Sequence, residues 1–320
     1  MLRRVVDRVR QFRRSEGFKY SLATPIRFSL HARQRLNRSV FAIEIKENSG
    51  FFSVMQMVLF ILMHCEEKGL TPQISARGGL YGDAEGKIDW FSTFFESVRP
   101  RVENTPRRVR VSTVRALDQL GFRSRYEAGL RLQSASDLFR SYYRPVASIR
   151  EDVEATCARL DINESTLGVH YRGTDKKFEA LTIAWADFCR LVEQTLALNP
   201  HLTNVFISSD EQAFIDFFCK WPFNRPVNVA PAKLLSNGDS PVHFSGYPGL
   251  EIGREALVSS LLLSKCGHLV KMPSYLSAWS KIFNPDLPIT LAVPPRLEAF
   301  WFPDSQIWIG QEQAIGGKAA

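Results

Sequence analysis

The chain has 320 residues, 45% of them apolar, with a formal net charge of +8 and a pI near 9.3. That length is long for one domain and comfortable for two. The longest apolar run, Val54 to Met63, is interrupted by Gln56 and falls far short of the about 18 residues a bilayer-spanning helix needs. Five scattered cysteines, Cys65, Cys157, Cys189, Cys219 and Cys266, include no C-x-x-C pair, so neither a disulfide framework nor a zinc site is indicated and all are expected as buried thiols.

The first fourteen residues, MLRRVVDRVRQFRR, cluster Arg3, Arg4, Arg8, Arg10, Arg13 and Arg14. They lack an apolar signal-peptide core, so a cytoplasmic location is expected. On a helix, Leu2, Val5, Val6, Val9 and Phe12 would share one side, which fits peripheral association with an anionic membrane surface. A solvated extension is the other reading of residues 1–37. A second basic run, Arg99 to Arg110, has no interleaved aromatics and sits in no nucleic-acid module, so no nucleic-acid partner is expected.

Residues 38–145 read as a first α/β domain. Phe41 to Lys46 alternates like a strand, Gly50 to Glu67 carries a long apolar helical run ending at Gly69, and Pro72 to Ala76 and Arg108 to Thr113 are further strands with the aromatic stretch Asp89 to Glu96 between them. Ser124 to Asp161 reads as helical, with Pro145 as the first residue of a helix through Leu160. In residues 146–293, strands at Leu167 to Tyr171, Asn204 to Ser208, Val227 to Ala230, His268 to Met272 and Ile289 to Val293 alternate with helices at Ile183 to Leu198, Glu211 to Trp221, Arg254 to Lys265 and Ser274 to Phe283. This spacing predicts a parallel, doubly wound sheet. Pro231 to Gly253 is loop-like, and the aromatic tail within 294–320 is too apolar to be free.

The chemistry concentrates at three strand ends. Gly168 to Lys177, GVHYRGTDKK, puts His170 and Arg172 on one side of a strand that stops at its carboxyl edge, where open α/β sheets bind nucleotides. A forked guanidinium there suits a phosphate, although a buried Arg can equally anchor a neighbouring carboxylate or helix end. VFISSDEQ, Val205 to Gln212, ends a second strand in Ser208, Ser209 and Asp210, with Asp210 placed as a helix N-cap. Ser274 and Tyr275 open the last helix, whose unpaired N–H groups suit an anion, whether or not Ser274 also caps it.

Together HYRGTDK, VFISSDEQ and LLLSKCGHLVKMPSYLSAWSKIFNP (Leu261 to Pro285) resemble the three motifs of the GDP-fucose-dependent fucosyltransferases, including the α-1,6, nodulation-factor and protein O-fucosyltransferase branches. The likeness spans Leu167 to Pro285, with a weaker echo at Asn48 to Phe52. It implies a GT-B fold, two Rossmann-like domains facing across a cleft. It also implies an inverting, metal-independent transferase moving fucose from GDP-fucose to a glycan or lipid-linked oligosaccharide. The alternatives are a transferase for another GDP-hexose and a catalytically inactive GDP-sugar-binding protein.

On this resemblance Arg172 neutralises the departing GDP, and a carboxylate, Glu179 first and Glu47 second, deprotonates the acceptor. His170, Arg172, Asp175, Ser208, Asp210, Ser274 and Tyr275 form the donor site. No metal and no cofactor beyond the GDP-sugar co-substrate are expected: the chain has no D-x-D sequence. GDAEGK (Gly82 to Lys87) is one residue short of a P-loop and is followed by Ile88 where a Ser or Thr is needed. Three positions depart from the family pattern: Gly173 stands where the α-1,6 branch has a second Arg, Ala180 where it has a proposed base, and Ser259 where related bacterial chains have an acidic residue.

Overall fold

Strand β1 (Val40–Ile45) is buried along its whole length, Glu44 included. The alternation read in the sequence therefore does not mark a solvent face: this is a central parallel strand covered on both sides, and Glu44 is met by Lys46 at 3.2 Å. The computed structural model describes residues 40–46, 48–99, 109–111, 121–173, 181–230, 246–294 and 301–316. Helix α1 (Phe51–Lys68) follows β1 and is apolar nearly all round. It ends at Gly69, whose φ of +61° is the left-handed conformation that glycine adopts freely.

Next come β2 (Thr71–Ala76), α2 (Trp90–Phe94), β3 (Phe95–Ser97) and β4 (Val109–Val111). Strands β2, β1 and β4 pair in that order, all parallel, with Ile43 beside both Ile74 and Val109.

The connection is not one helical stretch. It comprises α3 (Phe122–Tyr126), a 3-10 turn at Glu127–Gly129, α4 (Leu132–Tyr142), β5 (Tyr143–Pro145) and α5 (Ala147–Leu160). Pro145 does not open α5: it pairs with Phe95 as the end of β5, which runs antiparallel to β3, and Val146 occupies the N-cap. Buried Tyr143 and the Val146 N–H bond to the Phe94 carbonyl at 3.0 Å hold the chain extended there, and a proline is tolerated at a strand end.

The remaining elements are β6 (Thr166–Tyr171), α6 (Trp185–Leu198), β7 (Asn204–Ser209), α7 (Gln212–Lys220), β8 (Val227–Val229), α8 (Gly249–Leu263), β9 (His268–Lys271), α9 (Tyr275–Phe283), β10 (Ile289–Leu291) and α10 (Asp304–Gly316). The five strands form one parallel sheet in the order β10-β9-β6-β7-β8. The chain steps outward from β6 through β7 to β8 and then crosses back to β9, so the strand order reverses between β6 and β9. Ligands of open α/β sheets bind outside the carboxyl ends at such a reversal.

Alternation decides what each face of this sheet meets. Leu167, Val169, Tyr171, Val205, Ile207 and Val270 pack with Phe188 and Val192 of α6 and Phe214 and Phe218 of α7. On the opposite face, Phe206 and Leu269 join Leu257 of α8 and Trp279 of α9 in a core that continues through Phe139 of α4 and Phe52 of α1. The apolar packing is thus continuous from one sheet to the other. Gly253 is needed within it, because an added Cβ would lie 2.8 Å from the Phe94 ring. The tail returns along the same side: Phe302 is buried in this core, Gln306 donates to the Leu130 carbonyl at 2.8 Å and Gln311 to that of Ile289 at 3.2 Å.

The cysteines are all unpaired, but only Cys65, Cys189 and Cys266 are buried; Cys157 is partly exposed and Cys219 exposed. No helix among the described residues is long and apolar enough to cross a membrane.

Candidate functional site

The site begins with sheet register. His170 lies beside Ser208 on one side and Lys271 on the other, so three polar residues sit at the same level of β6, β7 and β9. All three are buried. They sit at the carboxyl end, next to the reversal of strand order, one level above Gly168, Phe206 and Leu269 on the same face.

His170 is held neutral. Burial is the main cause, and the nearby charges of Lys271 and then Arg172 add to it, so its imidazole titrates well below the usual value. Its Nδ1 is buried and has no hydrogen-bond partner, which is unusual for a buried polar atom.

One residue beyond β6, Arg172 places Nε 3.9 Å from Asp210 Oδ2, the side chains being 18% and 20% exposed. The two follow the register partners Tyr171 and Ser209, so the first and second motifs meet at neighbouring strand ends. Asp210 is not the helix cap that its position suggested. Glu211 takes the N-cap of α7, and Ser209 Oγ accepts its backbone N–H at 3.2 Å, which leaves the Asp210 carboxylate directed at Arg172.

Arg172 is also within electrostatic reach of Tyr81. Burial pushes the Tyr81 hydroxyl up to about 12, opposed by a backbone hydrogen bond with Phe51 and by the Arg172 charge. The Phe51 and Tyr81 rings meet edge-on at 5.3 Å. The amino end of α1, with Gly50 at its N-cap, is therefore tied to the same region as the strand ends of the larger sheet. Gly249, at the start of α8, touches this loop as well: an added Cβ would lie 2.6 Å from the Leu80 carbonyl.

The third motif forms the other wall. Ser274 has the extended backbone of an N-cap, yet its Oγ makes no capping bond. That hydroxyl is fully buried and without a partner, just where the free N–H groups and positive dipole end of α9 begin. Tyr275, the first residue of α9, stacks on Trp301 with ring centroids 4.8 Å apart and planes at 26°.

His170, Arg172, Ser208, Asp210, Ser274 and Tyr275 are thus brought to one edge of one sheet. Glu47, Asp175 and Glu179 lie outside the described residues, as do residues 231–245 of the stretch read as loop-like from Pro231 to Gly253. Sequence reasoning missed Lys271, which completes the polar row, and its partner Asp304. Its signal was a lysine inside the otherwise apolar strand segment LVKM.

No protein-family model matches the chain, and no curated protein matches it. Solved structures do match in fold. A NodZ α-1,6-fucosyltransferase soaked with GDP-fucose superposes with a TM-score of 0.52 at 18% identity, over 77% of this chain and 93% of the other. The same enzyme co-crystallised with GDP gives 0.52 at 19% identity, over 78% and 94%. NodZ from Bradyrhizobium, as its selenomethionine form, gives 0.50 at 18%, over 76% and 92%. The chain therefore has a mixed α/β, parallel-sheet fold shared with these fucosyltransferases.

Proposed function

We propose that this chain is a glycosyltransferase that takes its sugar from a GDP-sugar, GDP-fucose in the first place. The reading adopts the GT-B division into Rossmann-like domains at 38–145 and 146–293. The observation that carries it is the set of polar groups at the strand-order reversal: buried, neutral His170 with an unpartnered nitrogen, buried Ser274 with an unpartnered hydroxyl at the start of α9, and partly exposed Arg172 beside Asp210. These are donors around one place, and a diphosphate is an acceptor-rich ligand that would satisfy them. The fold shared with a fucosyltransferase that was soaked with GDP-fucose supports the choice of donor.

Breaking the bond between sugar and nucleotide builds negative charge on the departing diphosphate. A preorganised guanidinium stabilises that charge more in the transition state than in the ground state. Arg172 supplies it, and Asp210 keeps the fork from swinging away. Ser274 and the first N–H groups of α9 add neutral donors, and His170 can give one more hydrogen bond from a buried, uncharged ring. Leaving-group stabilisation then needs neither metal nor cofactor.

Attack by an acceptor hydroxyl on the face opposite the leaving group inverts the sugar, with Glu179 the first and Glu47 the second candidate base. A glycan or lipid-linked oligosaccharide is the proposed acceptor, in the cytoplasm, with the arginine-rich start available to hold the enzyme against an anionic membrane surface.

Isothermal titration in EDTA buffer with GDP, GDP-fucose and GDP-mannose tests the reading. Binding of GDP without metal and a preference for GDP-fucose are expected. Absence of GDP binding sinks it, and metal-dependent binding removes its metal-free part.

A further inference from the structure

Lys271 is more than the third member of the polar row. Its Nζ lies 2.6 Å from both carboxylate oxygens of Asp304, and neither side chain has any exposure. Asp304 Oδ2 also accepts the Ser274 backbone N–H at 3.2 Å. Three residues before Asp304, Trp301 stacks on Tyr275. A four-residue stretch of the C-terminal segment thus makes all these contacts on residues 271–275, the turn that joins β9 to α9.

A buried ion pair is an expensive way to fasten a tail. Taking both charges out of water can offset their attraction, and a well-packed apolar pair of similar volume holds a fold as well or better. Burial pushes Lys271 down and Asp304 up from their ordinary values, and each opposes that shift in the other. What an apolar pair cannot do is accept the Ser274 N–H, fix the extended backbone of that residue, and so hold its hydroxyl and the first turn of α9 in one orientation. Nor could it hold a lysine at the level of His170.

We propose that the C-terminal segment is a positioning element of the donor site, acting through Asp304 on Lys271 and Ser274 and through Trp301 on Tyr275. This rests on the GDP-sugar reading above. Asp304 and Trp301 are positioning residues: they set the β9–α9 turn, and the turn meets the diphosphate.

The test compares GDP affinity and thermal stability in the full-length protein. In the double variant Lys271→Met with Asp304→Leu, the apolar replacement is expected to keep Tm close to that of the parent while GDP affinity falls roughly 10-fold or more. A mere fastening role moves the two together, so a folded double variant that binds GDP like the parent overturns the proposal. If the double variant does not fold, Trp301→Ala, at a partly exposed position, takes its place; a loss of at least about 3-fold in GDP affinity at near-parental Tm is expected, and unchanged affinity overturns the proposal. A parent protein that fails to bind GDP at all points instead to failure of the donor reading.

Discussion

Arg172 and Asp210 extend neighbouring strands by one residue each and face one another there, Nε to Oδ2 at 3.9 Å. The separation is wide for a charge-assisted hydrogen bond, so the carboxylate steers the guanidinium and does not sequester it.

Replacing Asp210 by Asn should therefore change function more than folding. The pair is loose and in contact with solvent, so its loss should cost under about 1 kcal/mol of stability. Misplacing Arg172 should lower kcat/KM roughly 10- to 100-fold, the scale on which small positional errors act. Urea denaturation together with steady-state kinetics on the same preparation separates the two. A variant whose activity falls only in step with its unfolding would remove the steering role.

Gly173 is one of the positions at which the sequence departs from the α-1,6 pattern, and the packing around it leaves no room for a side chain. A Cβ there would lie 2.7 Å from Glu211 Oε1 and 2.9 Å from the Tyr171 hydroxyl. The Tyr171 ring cannot retreat: it stacks on Phe214 at 3.9 Å, and Trp185 Nε1 donates to its hydroxyl at 3.1 Å. Gly173→Ala should destabilise the protein by about 1–3 kcal/mol, as overpacking does, and Gly173→Arg should do so without any gain in donor affinity. Thermal melts and GDP titrations of both variants check this; an arginine variant that is stable and binds GDP more tightly would contradict it.

Much of this was legible in the chain, for identifiable reasons. The five strands of the larger sheet are short apolar runs separated by amphipathic helices, so strand-helix alternation declares them, and motifs ending consecutive parallel strands must converge at one edge. Strand β5 was not legible, because Tyr143–Pro145 owes its extended form to pairing with Phe95–Ser97, distant in sequence. Asp210 read as a cap because Ser-Asp before a helix is the usual cap signature; only the register opposite Arg172 gives its carboxylate another role. The Lys271 to Asp304 pair was invisible for a similar reason: the lysine looked like an interruption of a strand, and its partner lies beyond the last strand, in a segment that reads only as an aromatic tail.

The buried His170 should leave a signature in the pH dependence of stability. Its folded-state value is depressed, so as pH falls below about 6.5, the ordinary histidine value, the unfolded chain takes up a proton that the folded protein refuses. The unfolded state then binds more protons, and stability decreases with falling pH by at most about 1.4 kcal/mol per unit for this one group. Above that value there is no such penalty. Urea midpoints for the parent and for His170→Asn, measured from pH 5 to 8, should run parallel above about 6.5 and converge below it, because the variant lacks the penalty. Comparison by difference removes the contribution of His268, which burial also depresses. Curves that stay parallel over the whole range would show that His170 accepts a proton in the folded protein.

Arg172→Lys is the sharpest test of the leaving-group role. Lysine keeps the charge but loses the planar fork, so on the proposed role one of two hydrogen bonds to the diphosphate would disappear, and a bond of this charged kind is worth about 1.5–3 kcal/mol. The expected fall in kcat/KM is roughly 10- to 150-fold. If that bond tightens as charge develops on the leaving group, most of the loss appears in kcat, while GDP affinity, which samples the already charged product, drops as well. A fucosyl donor bound in its ground state should lose less. Stability should change little, since the side chain sits at the sheet edge, 18% exposed, and its partner Asp210 remains partly solvated when the fork is gone. Near-normal turnover in this variant, or a loss of activity that tracks loss of structure, would make Arg172 an anchor for Asp210 and not the group that meets the diphosphate.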